Sequence, residues 1–154
     1  MSVEQHQSVP QFLAHCGDQG RAVAGFDWSA TPLGAIDSWP ECIKSTLSLM
    51  LHANVPMAVL WGETGILLHN KAFGTLVGKP DFSALGCSLL ELFPQFSVFM
   101  RDVIRSVLSG KTVAERDMLT MLERDGKFQE VWVNQDYSPI VDDNGAVRAV
   151  FAII

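Results

Sequence analysis

The chain has 154 residues, 48% hydrophobic, 18% charged and 9% aromatic. That is enough for one domain with a real core, too apolar for a disordered tail and too short for two full-sized domains. Eleven basic against seventeen acidic residues leave a formal net charge of -6, which repels phosphate backbones and anionic lipid, so neither nucleic acid nor a membrane surface is an expected partner.

Three widely spaced cysteines (Cys16, Cys42, Cys87) without a C-x-x-C pair fit a reducing compartment. Residues 1–11 carry no signal-peptide pattern, and no apolar run reaches the roughly 18 residues of a membrane span. The expectation is a cytoplasmic domain with no membrane insertion by this segment.

Residues 1–27 read as loosely ordered, with Phe12, Leu13, Val23 and Phe26 able to support a short helix. A turn-rich stretch over 27–40 carries two Trp and two Pro. Ser38-x-x-Glu41 has capping-box spacing, and Ile43, Leu47, Met50 and Leu51 repeat at helical period, predicting an amphipathic helix over 39–53. Apolar runs at 57–61 and 66–69 around Gly62-Glu63-Thr64-Gly65 predict a hairpin. Asn70 caps a short helix over 71–77, and Ser88-x-x-Glu91 opens a single turn stopped by Pro94. Met100, Ile104, Val107 and Leu108 give the best-patterned helix, 97–109, ended by Gly110. Three strands follow, 113–124, 127–138 and 146–154, joined through Asp125-Gly126 and Asp142-Asp143-Asn144-Gly145. The expected fold is α+β: one five-stranded antiparallel sheet with short helices on one face and an extra N-terminal helix. The last connections are too short for crossovers, so a cleft forms between the longest helix and the sheet.

This order of elements resembles a PAS domain, and local motifs agree. Asn70-Lys71-Ala72-Phe73 with Leu76-Val77-Gly78, then Ala84-Leu85-Gly86 before Leu92-Phe93-Pro94, are similar to the segments after the second PAS strand. Tyr137-Ser138-Pro139-Ile140-Val141-Asp142 with Gly145-Ala146-Val147 resembles the family's last hairpin. The resemblance spans residues 55–154, the PAS core, with 1–54 as a lead-in belonging to the same module. Within that lead-in, Asp27-Trp28-Ser29-x-Thr31-Pro32-Leu33-Gly34 with Trp39-Pro40 resembles the start of bacterial sensor histidine kinases. The resemblance implies a signal-sensing, non-catalytic module of a two-component system, ending before a C-terminal output domain and commonly homodimeric. The enzyme, if any, is the full-length kinase.

The residues weigh against several chemistries. The flavin photochemistry of the LOV subset needs a cysteine within G-x-N-C-R-F; here Cys87 follows Gly86 with neither the Asn nor the Arg. Val133 aligns with a polar flavin contact of that subset. Cys87 therefore reads as a structural thiol, and covalent flavin is excluded while non-covalent flavin stays open. Haem needs an axial ligand, but no His lies on the 97–109 helix; His6, His15, His52 and His69 are elsewhere. Met100 reads as core filler. No metal site is expected, because the acids at 142–144 sit in a tight turn. The run Glu123-Arg124-Asp125 reads as a solvated hairpin tip. No cofactor is required by the sequence, and its identity stays unknown.

What remains is a cleft for a small apolar ligand. Its expected lining is Val59 and Trp61 on the first strand, Met100 and Ile104 on the long helix, Met118 and Thr120 on the third strand, Val133 and Gln135 on the fourth, and Phe151. Two-residue pairing at Asp125-Gly126 sets Met118 opposite Val133 and Thr120 opposite Val131. The same alternation turns Trp132 and Asn134 to the other face, expected as an interface with a second protomer or as a surface covered by residues 12–53. Two alternatives stay open: a ligand-free dimerisation module with a filled core, and a sensor of non-covalent flavin or haem.

Overall fold

The computed structural model describes residues 9–154; residues 1–8, His6 among them, lie outside the described residues. Helices α1 (Gly17–Gly25) and α2 (Glu41–His52) precede strands β1 (Met57–Trp61) and β2 (Ile66–His69). Helices α3 (Lys71–Leu76), α4 (Leu89–Leu92) and α5 (Ser97–Leu108) follow, then strands β3 (Val113–Arg124), β4 (Lys127–Val141) and β5 (Val147–Ile153). The strands form one antiparallel sheet in the order β2-β1-β5-β4-β3.

The β3–β4 hairpin follows from its turn. Asp125 and Gly126 both take positive φ (51° and 75°), the type I′ geometry whose twist matches that of the flanking strands. The register places Met118 opposite Val133 and Thr120 opposite Val131, as expected. A bulge between Glu115 and Met118 interrupts it. There Asp117 has a φ of 52°, and its N–H donates to the Asn134 side-chain oxygen at 3.0 Å. Strand β4 runs past Ser138 to Val141. Pro139 is tolerated because β3 pairing has already ended at Tyr137 and β4 is an edge from there on.

Both expected capping boxes are absent. The Ser38 hydroxyl donates to the Ala35 carbonyl at 2.6 Å and the Ser88 hydroxyl to that of Thr64 at 2.6 Å; each serine satisfies a neighbouring turn rather than a helix N-terminus. Asn70 does cap α3, accepting from the Phe73 N–H at 3.0 Å.

Both faces of the sheet are covered in part. On the inner face, α3, α4 and α5 pack over Ala58, Leu60, Leu67, Tyr137, Val150 and Ala152. On the outer face, α2 and the segment before it pack over Val59, Ile66, Leu68, Ile140 and Ala149. That leader is ordered. Trp28 and Trp39 are buried, their rings meet edge to face at 5.2 Å, and their indole N–H groups donate to the carbonyls of Val23 and Gly34. Leu13 and Val23 are buried with them, in a short 3-10 turn and in α1 respectively. The Phe26 ring lies on Gly86, so close that a Cβ there would sit 2.2 Å from it.

Candidate functional site

Between the inner face of the sheet and helices α3–α5 lies a cavity of about 300 Å³. Strands β3 and β4 give it Met118, Thr120, Val133, Gln135 and Tyr137; β1 gives Ala58 and Leu60; α3 and α5 give Phe73 and Met100, and Phe93 joins them from just after α4. No charged side chain stands among its lining residues.

Of the residues expected to line it, Met100, Met118, Thr120, Val133 and Gln135 come together there. Val59, Trp61 and Phe151 do not: they lie on the outer face, in or against the core beneath α2. Strand β1 is apolar throughout and its centre is buried on both faces, so alternation carries no signal there, and the large Val and Trp are no guide to the side facing the cavity. Their neighbours Ala58 and Leu60 face it instead. Phe151 fails for the same reason, since β5 is also covered on both sides. Ile104 is fully buried in the inner layer but is not part of the wall; a Cβ on Gly65 would lie 3.1 Å from its terminal methyl, so the side chain is spent on packing α5 against the β1–β2 turn.

The walls meet at a contact absent from the sequence reading. Arg124, at the end of β3, donates through Nε and Nη2 to the Leu76 carbonyl at 3.1 and 2.8 Å. It caps the C-terminal end of α3 and is not a freely solvated hairpin tip. The Cys87 thiol is half-buried, donates to the Ser83 carbonyl at 3.6 Å, and lies outside the cavity lining.

Polar groups in the inner layer are few. The Tyr137 hydroxyl donates to the Gln135 side-chain oxygen at 3.0 Å and lies 3.7 Å from the Met100 sulfur. Burial, with a smaller push from the Glu115 charge, drives its pKa well above the ordinary phenol range, so it remains a neutral donor. His69 and Asn70 are fully buried at the end of β2. The Asn70 side chain accepts from Met57 N–H and donates to the carbonyls of Met50, Ala53 and Val55 at 2.8–3.3 Å, joining the end of α2 to the start of β1. His69 donates through Nδ1 to the Asn70 carbonyl at 2.8 Å, while its Nε2 has no partner. Burial holds its pKa below the ordinary imidazole value, and the carbonyl only partly offsets this. Among the described residues no three His, Cys, Asp or Glu side chains converge to hold a metal ion.

On the outer face, Trp132 is 67% exposed and Phe128 62% exposed, with Leu119 and Met121 exposed between them on β3. Asn134 shares that face, its oxygen engaged by the bulge at Asp117. The leader reaches Ile140 on β4 but leaves this end of the hairpin uncovered.

No curated protein matches the chain. Among solved structures it is similar to the PAS domain of BvgS from Bordetella pertussis (TM-score 0.52, 15% identity, covering 72% of this chain and 82% of that one). It is similar to a PAS domain from Colwellia psychrerythraea (TM-score 0.54, 15% identity, 73% and 94%). It is also similar to phage VqmA, solved in complex with DPO (TM-score 0.57, 16% identity, 72% of this chain and 50% of that protein). At these identities the likeness is one of fold. The family described as PAS fold matches residues 52–154, from the end of α2 through β5, over the same elements that build the sheet and its cavity. The chain belongs to the PAS-fold family.

Proposed function

We propose that this domain senses a small apolar molecule held in the inner cavity and passes its occupancy to an output domain. The observation that carries the reading is the apolar space of about 300 Å³ walled by movable side chains, Met100 and Met118 among them. A cavity of that size stands at the small end of ligand sites, and methionine adapts its shape to what it packs against. The domain itself is read as non-catalytic. The wider setting we propose is a cytoplasmic bacterial sensor histidine kinase, supported by the leader from Asp27 to Pro40 that resembles the start of such kinases. The reading needs no flavin or haem, and an absorbance spectrum of purified protein tests that directly, since either would absorb beyond the aromatic band.

Native mass spectrometry, compared with the mass after denaturing release, tests the cavity. A reproducible extra mass is expected, lost in Met100→Trp, which fills the space while preserving the fold. Retention of the same mass by that variant would show that the molecule binds elsewhere.

A second reading is favoured by the exposed apolar end of the β3–β4 hairpin: pairing of two copies through Trp132 and its neighbours. Apolar patches of this kind on monomers mark contact sites. Sedimentation of Trp132→Ala beside the unmodified protein tests it, a shift toward monomer being the expected result and identical profiles the contrary one.

A further inference from the structure

We propose that the end of β2 carries a proton-operated catch: a proton taken up by His69 at Nε2 releases Phe82 with the 78–87 segment and loosens the α3 side of the cavity wall.

The catch is built on an imidazole that is hydrogen-bonded on one side only. His69 is fully buried. Its Nδ1 donates to the Asn70 carbonyl at 2.8 Å, and its Nε2 has no partner. In the neutral ring Nε2 is a bare acceptor; once protonated it is a second donor on a cation. A cation buried without an acceptor is among the costliest arrangements in a fold. Attraction to the faces of neighbouring aromatic rings offsets only part of that cost.

The charged groups on the elements around His69 do not relieve it. Strand β1, paired with it at Ala58, carries none. Helix α3 carries Lys71, and the 78–87 segment carries Lys79 and Asp81. Both lysines have the wrong sign. The Asp81 side chain is exposed and accepts from the Ser83 N–H at 3.1 Å. Burial and the Asn70 carbonyl are the influences on the titration of His69, so the ring stays neutral until acidification forces a proton onto it.

The cover over the ring is the part able to yield. Phe82 stacks on the imidazole with 5.7 Å between centroids and 18° between planes. It does so from a φ of 61°, which bulky residues seldom adopt. The Lys79 N–H donates to the Gly74 carbonyl and the Gly86 N–H to that of Leu67, pinning the segment near its ends. Between those anchors its hydrogen bonds are internal among the described residues, as from the Leu85 N–H to the Phe82 carbonyl. On the sheet side, β2 is held by its ladder with β1. Water therefore reaches Nε2 with least disruption by displacing Phe82. The movement reaches the cavity through α3. The Phe73 ring lies 5.5 Å from the imidazole, and Gly74 packs so close that a Cβ there would sit 3.1 Å from Cε1. Phe73 and Leu76 are themselves cavity wall.

The experiment follows amide hydrogen exchange of the full chain between about pH 7.5 and 4.5, corrected for the intrinsic exchange rate, beside the ring resonances of His69 and the methyl resonance of Met100. The opening constant at the Leu85 amide should rise by up to tenfold per pH unit below about 6.5. The Val150 amide on β5 should lag behind it, and the Met100 methyl should move in step with Leu85. His69→Phe should abolish the rise. Phe82→Gly suits a φ of 61° and uncovers the ring; it should bring the His69 midpoint up toward the ordinary 6.5, and this arm stands even where His69→Phe does not fold. The same rise in His69→Phe, a His69 midpoint at the ordinary value in the unmodified chain, or a midpoint indifferent to Phe82→Gly would overturn the proposal. Opening of Val150 together with Leu85 would also overturn it, as global unfolding. A Met100 methyl that ignores the transition would overturn the link to the cavity wall.

Discussion

The outer face of the sheet is one surface with two fates. Over β2, β1 and β5 it is sealed by α2 and the leader, with Trp28 and Trp39 buried among Ile43, Leu47 and Val59. Over the far end of the β3–β4 hairpin it is open, and Leu119, Met121, Phe128 and Trp132 meet solvent. Both halves are apolar, so the difference lies in the covering chain rather than in the strands. An indole in the sealed half has a hydrogen-bonded N–H and a second ring against it, while Trp132 has neither among the described contacts. The sealed half is therefore built for stability, and the open half retains apolar area whose burial by a partner would be favourable.

The largest effect expected from that contrast is in Trp39→Ala. Removing a buried indole and its bond to Gly34 should cost about 3–5 kcal/mol in urea unfolding, and a loss below about 1 kcal/mol would break the distinction between the halves. Next comes Gly86→Ala. Gly86 has a φ of 75°, and its new methyl would press on the Phe26 ring. A cost of about 1–3 kcal/mol is expected, with faster proteolysis of the leader as the second sign that the seal has loosened.

A pH series probes the inner layer against which the seal is measured. His69 titrates below its ordinary value of 6.5 because it is buried. Between that lowered value and roughly 6.5, the unfolded chain binds more protons than the folded one. Stability should thus be complete above about pH 6.5 and decline on acidification through that window, by at most about 1.4 kcal/mol per pH unit. His69→Phe should flatten the decline; urea midpoints at several pH values give the comparison, and identical slopes in both proteins would count against His69. The smallest effect is expected at the open end. Trp132→Ala should change monomer stability by no more than about 0.5 kcal/mol, and a loss like that of Trp39→Ala would mean that the ring is packed in solution.

The β3–β4 arm was legible because its outer face is open: Val133 and Gln135 alternate with Trp132 and Asn134, and Asp125-Gly126 sets the register. Strand β1 was not, because Ala58, Val59 and Leu60 are all buried and hydrophobicity cannot say which layer each one enters. Arg124 escaped a reading by charge because its partner is a backbone carbonyl 48 residues away, a relationship with no mark in local sequence. Asn70 was readable as a helix cap, since that bond is local; its donations toward the end of α2 are tertiary and were not. Gly86 was visible as part of a motif, but the ring that requires it comes from the leader.

Strand β4 pairs with β5 only over Asp136–Val141, so from Lys127 to Gln135 its sole strand partner is β3. A two-stranded ribbon has little rigidity of its own. This one is steadied by the cavity wall on one side and by the grip of Arg124 on Leu76 at its tip. Thr120 is the covalent neighbour of Leu119 and Met121, and Val133 that of Trp132. The residues that wall the cavity and those that meet solvent are thus separated by the thickness of a single strand, one peptide bond apart along the chain.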